Sequence, residues 1–263
     1  MTDGGDVTLE DGWQPATPPG DTVLRDYVDS AAHYFTMVGR AVGAALVDDG
    51  DVAIAHHGGS FPFANMGVVR RPLDHDGWTG VIERTRTAFA GRGPYVLAAP
   101  FPTPDLRDTG AVLVGHPPFM VRAAGDADVP APAGLELVPV RTVEQLATFE
   151  STLVAAYPAE PGGSLFSPPI LEVDGVTLWL ARLDGEPVGT ALAHHGGRVN
   201  GVEIISCLPT ARGRRIGEAV TWLPTLIRPE LPAALIASDL GRPVYERMGY
   251  VALVRFTLWL VAT

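Results

Sequence analysis

The chain has 263 residues, of which 46% are apolar and 19% charged, and its formal net charge at pH 7 is −11. This length allows one large or two modest domains with a sizeable core, and the composition is that of a globular protein. The acidic balance disfavours nucleic acid as a partner, and no apolar run reaches the ~18–20 residues of a membrane span. The single cysteine, Cys207, excludes an internal disulfide and a cysteine-based metal site.

The first half of the chain alternates between helical and extended patterns. We interpret residues 1–20, which are rich in proline and poor in apolar residues, as a mobile tail. They lack the basic and apolar regions of a signal peptide, so we expect a cytoplasmic protein. Apolar spacing then predicts a helix over 22–40, a hairpin over 42–47 and 52–56, an extended run over 61–69 and a helix over 76–90. A strand over 94–99, a short helix capped by Asp105, and final strands over 111–114 and 119–121 follow.

Small residues, aspartates and prolines over 123–134 predict a linker. The expected division is therefore a domain over 21–124, a linker over 125–133 and a domain over 134–263. The pattern of the second domain predicts a strand over 135–140, a helix from the N-cap Thr142 to 154, a long loop over 157–169, a hairpin over 176–183 and 187–194, and a central strand over 198–207. It then predicts a helix from Ile216 that ends or kinks near Leu223 because Pro224 follows, a strand over 233–237, a short helix capped by Ser238 or Asp239 and ending at Gly249, and a strand over 251–261 that closes the sheet.

The stretch between the central strand and the helix at Ile216 has the features of an anion site. Its sequence is Arg212-Gly213-Arg214-Arg215-Ile216-Gly217, preceded by Pro209, which ends the strand. The first amides of a helix lack internal partners and lie at the positive end of the dipole, and the glycines allow a phosphate to approach the backbone. The alternative interpretation is a surface loop with solvated arginines.

This stretch resembles the acyl-CoA pyrophosphate loop of the GNAT superfamily of N-acetyltransferases, which runs Arg/Gln-x-x-Gly-x-Gly/Ala. Arg212 matches the first position and Gly217 the last, but Arg215 stands where the family usually has glycine, where it could weaken CoA binding or contact a phosphate. Residues 237–250 resemble a later motif of the family through Ala237-Ser238, Gly241, Tyr245 and Gly249-Tyr250. The resemblance covers about residues 134–263.

The element order of residues 21–124 resembles a decayed copy of the same unit, in which Arg70-Arg71-Pro72 follows the strand instead of the CoA loop. The alternative is an unrelated α+β domain. The resemblance implies a tandem GNAT-like α+β fold, with a central mixed sheet flanked by helices in each half. It implies acetyl-CoA or another acyl-CoA as co-substrate, and a primary amine of a small molecule or peptide that attacks directly in a ternary complex. A nucleic acid or membrane partner is not expected, and a homodimer is left open.

By resemblance, the cofactor-binding residues are Ile205, Cys207, Arg212, Gly213, Arg214, Arg215, Ile216, Gly217 and Tyr245. Ile205 would offer a backbone N–H to the thioester oxygen, and Cys207 a backbone partner for pantetheine. Tyr245 is the candidate acid for the leaving thiol; the alternative is a packing aromatic. Glu203 is the candidate base, because burial on a strand could raise the pKa of a carboxyl; the alternative is an outward-facing carboxylate.

The histidine pairs are weaker candidates for proton transfer. His194 and His195 end the preceding strand and could relay a proton, although a pair before two glycines is also typical of a solvated turn. The same holds for His56 and His57. A nucleophilic role for Cys207 would need a basic partner, and we predict no metal site. Three other functions remain open: an acyl-CoA-binding regulatory module without turnover, an acyl-CoA thioesterase, and an interaction protein that retains a relic of the loop.

Overall fold

The computed structural model describes residues 20–129, 132–157 and 165–263; most of the predicted tail and part of the loop 157–169 lie outside the described residues. The described helices are α1 (Gly20–Ala41), α2 (His75–Ala88), α3 (Val143–Ala156), α4 (Ile216–Thr225) and α5 (Arg242–Arg247). The described strands are β1 (Ala45–Asp48), β2 (Val52–His56), β3 (Met66–Val69), β4 (Tyr95–Ala99), β5 (Val112–Gly115), β6 (Pro118–Arg122), β7 (Leu135–Pro139), β8 (Val176–Leu183), β9 (Glu186–His194), β10 (Asn200–Cys207), β11 (Ala233–Ile236), β12 (Val251–Arg255) and β13 (Thr257–Val261).

The described strands form two mixed sheets, which confirms the predicted tandem α+β architecture. The first sheet has the order β1-β2-β3-β4-β13-β5, and the second has the order β12-β6-β11-β10-β9-β8-β7. Within each sheet one parallel ladder, β3 with β4 and β10 with β11, spans the connection that contains a helix. The predicted hairpins β1–β2 and β8–β9 are antiparallel pairs, as expected.

The two halves exchange their last strands, which the sequence analysis did not predict. Strand β6 lies between β12 and β11 of the second sheet, and β13 lies between β4 and β5 of the first. The prediction that 119–121 finishes the first half is therefore wrong, as is the prediction of one strand over 251–261 that closes the second sheet. The buried Phe256 divides that stretch, and its amide donates to the carbonyl of Pro117 at 2.9 Å. Alternation identifies a strand but not the sheet that receives it, because pairing is non-local.

Helix α1 packs against both sheets. Its buried stripe includes Val23, Tyr27 and Ala31, and this stripe shares one core cluster with Val96 of the first sheet and Ala234 of the second. The helix begins in the first half of the chain yet covers strands of the second. It is therefore positioned to contribute side chains to a site in the second sheet.

Local capping of the second-half helices follows the sequence at α3 and at Gly249. The prediction that Ser238 or Asp239 caps the short helix is wrong, because α5 begins at Arg242 after Gly241, whose position has no side-chain cap. Thr142 caps α3 in a full capping box with Gln145, and Gly249, in the left-handed region at φ 86°, ends the turn after α5. Helix α4, predicted to end or kink near Leu223, ends two residues later at Thr225. Pro224 lies in the last turn, where the helix is about to end and the amide of Leu226 still reaches the Trp222 carbonyl at 3.0 Å. The predicted division at 125–133 stays a prediction, and residues 130 and 131 lie outside the described ranges.

Candidate functional site

Strands β10 and β11 diverge after a short parallel contact. The ladder joins Asn200 to Ala233 and Gly201 to Ala234, and no further pair joins the two strands among the described residues. Beyond this point the main-chain edge of β10 on the β11 side faces an opening in the sheet. An opening between parallel strands, ahead of their C-terminal ends, is a place where a ligand can lie against free main-chain groups.

A β-bulge bends β10 at this opening. Its register against β9 shifts between Glu203 and Ser206, and Ile204 has φ 55°, in the left-handed region that a β-branched residue rarely adopts. The Thr190 hydroxyl donates to the Ile204 carbonyl at 2.8 Å, and the Tyr157 hydroxyl donates to the Ile205 carbonyl at 3.1 Å. The bulge is thus fixed by side chains on both sides, which is how backbone strain persists at a functional site.

The turn between β10 and α4 presents its backbone to solvent. Strand β10 ends at Cys207, and a 3-10 turn at Pro209–Ala211 leads into exposed residues 212–215. Gly213 has φ 77° and Arg215 has φ 58°, and no described side chain caps α4. A Cβ atom at Gly213 would meet nothing within 4 Å, and one at Gly217 would lie 3.9 Å from Cβ of Cys207. The amides of the first helical turn are therefore open to a ligand as large as a diphosphate.

The three arginines of this turn have different partners. Arg212 donates to the carbonyls of Cys207 and Ala156 at 3.4 Å, which ties the turn to the C-terminal end of α3. Arg215 donates twice to the Glu218 carboxylate, at 3.0 and 2.8 Å, and this interaction lowers the pKa of that carboxyl despite its burial. Arg214 is exposed, with no ion pair among the described residues. A negative charge therefore lies in the first turn of α4, paired with Arg215.

Cys207 and Tyr245 lie on either side of the opening. Cys207 ends β10, and burial raises the pKa of its thiol, which disfavours the thiolate that covalent chemistry needs. Tyr245, on α5, is 8% exposed and belongs to the cluster against which Ile205 of β10 packs. Its burial, followed by the nearby Tyr157, raises the pKa of the Tyr245 hydroxyl, so this side chain is protonated at neutral pH.

Glu203 and His194 occupy the inner end of the opening, beneath α1. The Tyr27 hydroxyl donates to Oε1 of Glu203 at 2.8 Å, and Nε2 of His194 lies 3.5 Å from the same oxygen. Burial, followed by the Glu203 charge, raises the pKa of the Tyr27 hydroxyl. On its other side the His194 ring contacts Ser30, with 2.9 Å between Nδ1 and the hydroxyl oxygen. Both the carboxylate and the imidazole are thus held by residues from the first half of the chain.

The other histidines do not join this group. His56 is buried in the first sheet, with Nε2 at 2.7 Å from the Gly93 carbonyl and Nδ1 accepting from the Gly58 amide; its burial lowers its pKa. The backbone amide of His57 donates to the Asn65 side chain. His195 lies 3.1 Å from the Thr177 hydroxyl, and burial lowers its pKa as well. The prediction that these pairs lie in solvated turns is wrong for His56 and His194, which are fully buried.

The chain is similar in fold to solved structures described as GNAT-family proteins. The chain is similar to a GCN5-related N-acetyltransferase from Kribbella flavida, at 22% identity over 88% of this chain and 95% of that chain, with TM-score 0.62. It is also similar to an acetyltransferase of the GNAT family from Novosphingobium aromaticivorans, at 15% identity over 86% and 96% of the two chains, with TM-score 0.55. The chain has a tandem GNAT fold. This confirms, at the level of fold, the resemblance read from the motifs.

A third GNAT fold, a GCN5-related N-acetyltransferase from Sphaerobacter thermophilus, matches at 12% identity over 94% of this chain and 95% of that chain, with TM-score 0.51. No family model and no curated protein matches the sequence. In the described ranges, the helices are too short or too polar to cross a bilayer. Within those ranges no three His, Cys, Asp or Glu side chains are grouped so as to hold a metal ion.

The GNAT fold brings the predicted CoA-loop residues to one helix N-terminus, and it brings Glu203, Ile205 and Tyr245 to the adjoining opening. The sequence analysis missed Tyr27, Ser30, Tyr34, Tyr157 and Glu218. A signal was present for three of them: the hydroxyl residues at 27, 30 and 34 follow helical spacing on the same face as the apolar stripe of α1. Polar groups on a buried helix face need partners, and Tyr27 and Ser30 find theirs in Glu203 and His194, while the Tyr34 ring stacks on His194.

Proposed function

We propose that the chain is an acyl-CoA-dependent N-acyltransferase that transfers acetyl from acetyl-CoA to a primary amine of a small molecule or peptide. The observation that carries the proposal is the combination of diverging β10 and β11 with the uncapped N-terminus of α4. Gly213 and Gly217 leave room beside the amides, and exposed arginines surround them. These residues fit a diphosphate, and the opening beside the bulge would receive the acyl arm.

The proposed reaction needs one proton acceptor for the amine and one proton donor for the leaving sulfur. The amine must lose a proton to attack, and Glu203 is the proposed acceptor of that proton. As the nitrogen–carbon bond forms and the carbon–sulfur bond breaks, Tyr245 is the proposed donor of a proton to the sulfur, and the second proton that the nitrogen loses restores the Tyr245 hydroxyl. The amide of Ile205 would stabilise the developing oxyanion, and the backbone at Cys207 would orient the pantetheine. A positioned base typically accelerates such a reaction by about 10²–10⁴-fold.

Calorimetry with CoA and an amine-dependent assay test this proposal. We expect one CoA per chain, and release of thiol from acetyl-CoA that depends on an added amine, screened with phenethylamine, spermidine, kanamycin and a peptide with a free N-terminus. Binding without turnover with any amine would favour a regulatory module. Thiol release without amine would favour a thioesterase, although the raised pKa of the Cys207 thiol disfavours that residue as its nucleophile. Absence of CoA binding would overturn the proposal.

A further inference from the structure

We propose that helix α1 completes the acceptor end of this site, and that Glu203, His194 and Ser30 handle the amine proton as one unit. The inference rests on the proposed function, since it names His194 as the group that receives the proton after Glu203. Tyr27 and Ser30 act here as positioning residues, because neither is placed to touch the reacting atoms. The first half of the chain would then be part of the catalytic machinery of the second.

The three groups form a continuous chain of polar contacts. Oε1 of Glu203 lies 3.5 Å from Nε2 of His194, and Nδ1 of the same ring lies 2.9 Å from the Ser30 hydroxyl oxygen. The side chain of Glu203 is 18% exposed, whereas that of His194 is 3% exposed. The carboxylate is thus the end of the chain that a bound amine can reach, and the imidazole is the enclosed end.

One nitrogen of the buried ring has no hydrogen-bond partner. Nε2 of His194 forms no hydrogen bond in the described part of the chain, although it faces the carboxylate. An unpartnered buried polar atom costs about 1–3 kcal/mol, so its persistence calls for an explanation. A proton taken up by Glu203 would remove this cost, because the protonated carboxyl would then have Nε2 as its acceptor.

The surroundings fix the ring in this orientation. Tyr34 stacks on His194 with ring centres 5.0 Å apart and planes 14° apart. A Cβ atom at Gly201 would lie 1.9 Å from Nε2, and one at Gly197 would lie 2.9 Å from the Ser30 hydroxyl oxygen. Only glycine fits at either position while the ring and the hydroxyl keep their places. Tyr27 holds the carboxylate in the same way, so the unit is pre-organised before any amine binds.

In the proposed transfer, the proton moves from the ammonium to Glu203 and then to His194. An N–H bond of the ammonium breaks and an O–H bond forms on Glu203, which leaves the neutral amine to attack. The Glu203 proton then passes to the lone pair on Nε2 of His194, which restores the carboxylate and forms the imidazolium. In the proposed step Nδ1–H donates to the Ser30 oxygen, which is the tautomer that leaves the Nε2 lone pair free to take the proton.

A double-mutant cycle on the full chain tests whether the groups act as a unit. The substrates are acetyl-CoA and whichever amine of the panel above turns over fastest. We expect kcat to fall about 100-fold for Glu203→Gln and about 10-fold for His194→Gln, with the double variant no slower than Glu203→Gln alone, because groups that act together are non-additive. The KM for acetyl-CoA should not change. Losses that multiply in the double variant would overturn the inference while leaving the transferase function intact.

Conservative changes on α1 separate positioning from stability. Tyr27→Phe and Ser30→Ala should lower kcat about three- to tenfold without changing the KM for acetyl-CoA, since each removes one hydrogen bond to the unit. The matched control is Tyr95→Phe, which removes a buried hydroxyl that lies 2.6 Å from the Thr85 hydroxyl in the first sheet. It should lower the melting temperature comparably and leave kcat unchanged. Equal kcat for all three variants would overturn the positioning roles.

A spectroscopic experiment needs no turnover. In the full chain labelled with ¹⁵N-histidine, Ser30→Ala should shift the Nδ1 resonance of His194, and Glu203→Gln should shift its Nε2 resonance. Tyr95→Phe should shift neither. If neither resonance shifted in either variant, the proposed unit would be overturned even in an active enzyme. If both shifts were seen in a protein that turns over no amine, the transferase function would be overturned and the coupling among the three residues would stand.

Discussion

The connections that lead into the two helices between parallel strands, β3 to α2 and β10 to α4, differ at the helix N-terminus. Asp74 caps α2 by accepting from the Gly77 amide at 2.9 Å, and β3 stays paired with β4 over three positions. In the second connection no described side chain caps α4, and the parallel pairing stops after two positions. The first helix N-terminus is therefore filled by a carboxylate of the chain itself, and only the second is open to an anion.

The arginines that follow β3 and those that follow β10 also differ in their ion-pair partners. Arg70 and Arg71 follow β3, but each forms an ion pair with an aspartate of the β1–β2 hairpin, at 2.7 and 2.6 Å. After β10, Arg215 forms an ion pair with Glu218, whereas Arg214 is exposed and forms no ion pair among the described residues. Basic residues near a helix therefore do not make an anion site by themselves, whereas unpaired helical amides with space beside them do.

The largest effect is expected from Gly217→Asp. The new Cβ atom has room, 3.9 Å from that of Cys207, so the fold should tolerate it, while the carboxylate would repel a diphosphate. We expect the Kd for CoA to rise at least about 100-fold, or about 2.7 kcal/mol, measured by calorimetry. The matched control is Gly80→Asp in α2, near the flexible end of Arg84, where the Kd should not change. Equal Kd values for the two variants would contradict the assignment of the CoA site to the N-terminus of α4.

An intermediate effect is expected from Asp74→Ala. Loss of the cap should lower the free energy of unfolding by about 1 kcal/mol, measured with urea, as should the control Thr142→Ala at α3. Calorimetry should still find one CoA per chain in both variants, because the β3–β4 ladder stays closed. A second CoA site in Asp74→Ala would show that the cap alone closed the first connection.

A smaller effect is expected from Glu218→Gln. The change removes a negative charge from the first turn of α4 and releases Arg215 for a phosphate. We expect CoA to bind about three- to tenfold more tightly, an effect limited by screening because the arginine is exposed. The matched control is Glu246→Gln, which breaks the Arg242 pair on α5 and should leave the Kd unchanged. Weaker binding by Glu218→Gln would mean that the ion pair supports the loop.

The same pair predicts a pH dependence of stability. The Arg215 hydrogen bonds lower the pKa of the Glu218 carboxyl in the folded chain. A lowered folded pKa stabilises the protein fully above the unfolded value of about 4.3, and this contribution is lost as the pH falls through the folded value. Glu218→Gln should therefore lose less stability than the wild type on acidification below about pH 4.3, measured by urea unfolding. Parallel pH profiles would contradict the assignment.

Local sequence patterns predicted the helices, strands and caps, but they did not predict which strands pair when the partners are far apart in sequence. Thr142, Gly249 and the turn at 212–217 each act on residues within a few positions, so their patterns indicated the cap, the helix end and the loop. The exchange of β6 and β13 and the bulge at Ile204 depend on strands far away in sequence. The contacts of Glu203 with Tyr27 and His194 depend on how α1 packs, which no spacing within one element reveals.

The exchange of β6 and β13 interlocks the two halves. A single proteolytic cut between β6 and β7 would leave two fragments, each holding a strand in the other's sheet through ladders on both sides. Such fragments would stay together under native conditions and come apart only on denaturation, and neither would make a finished sheet by itself. A gene encoding either half alone would therefore yield a product whose sheet lacks a strand that the other half supplies.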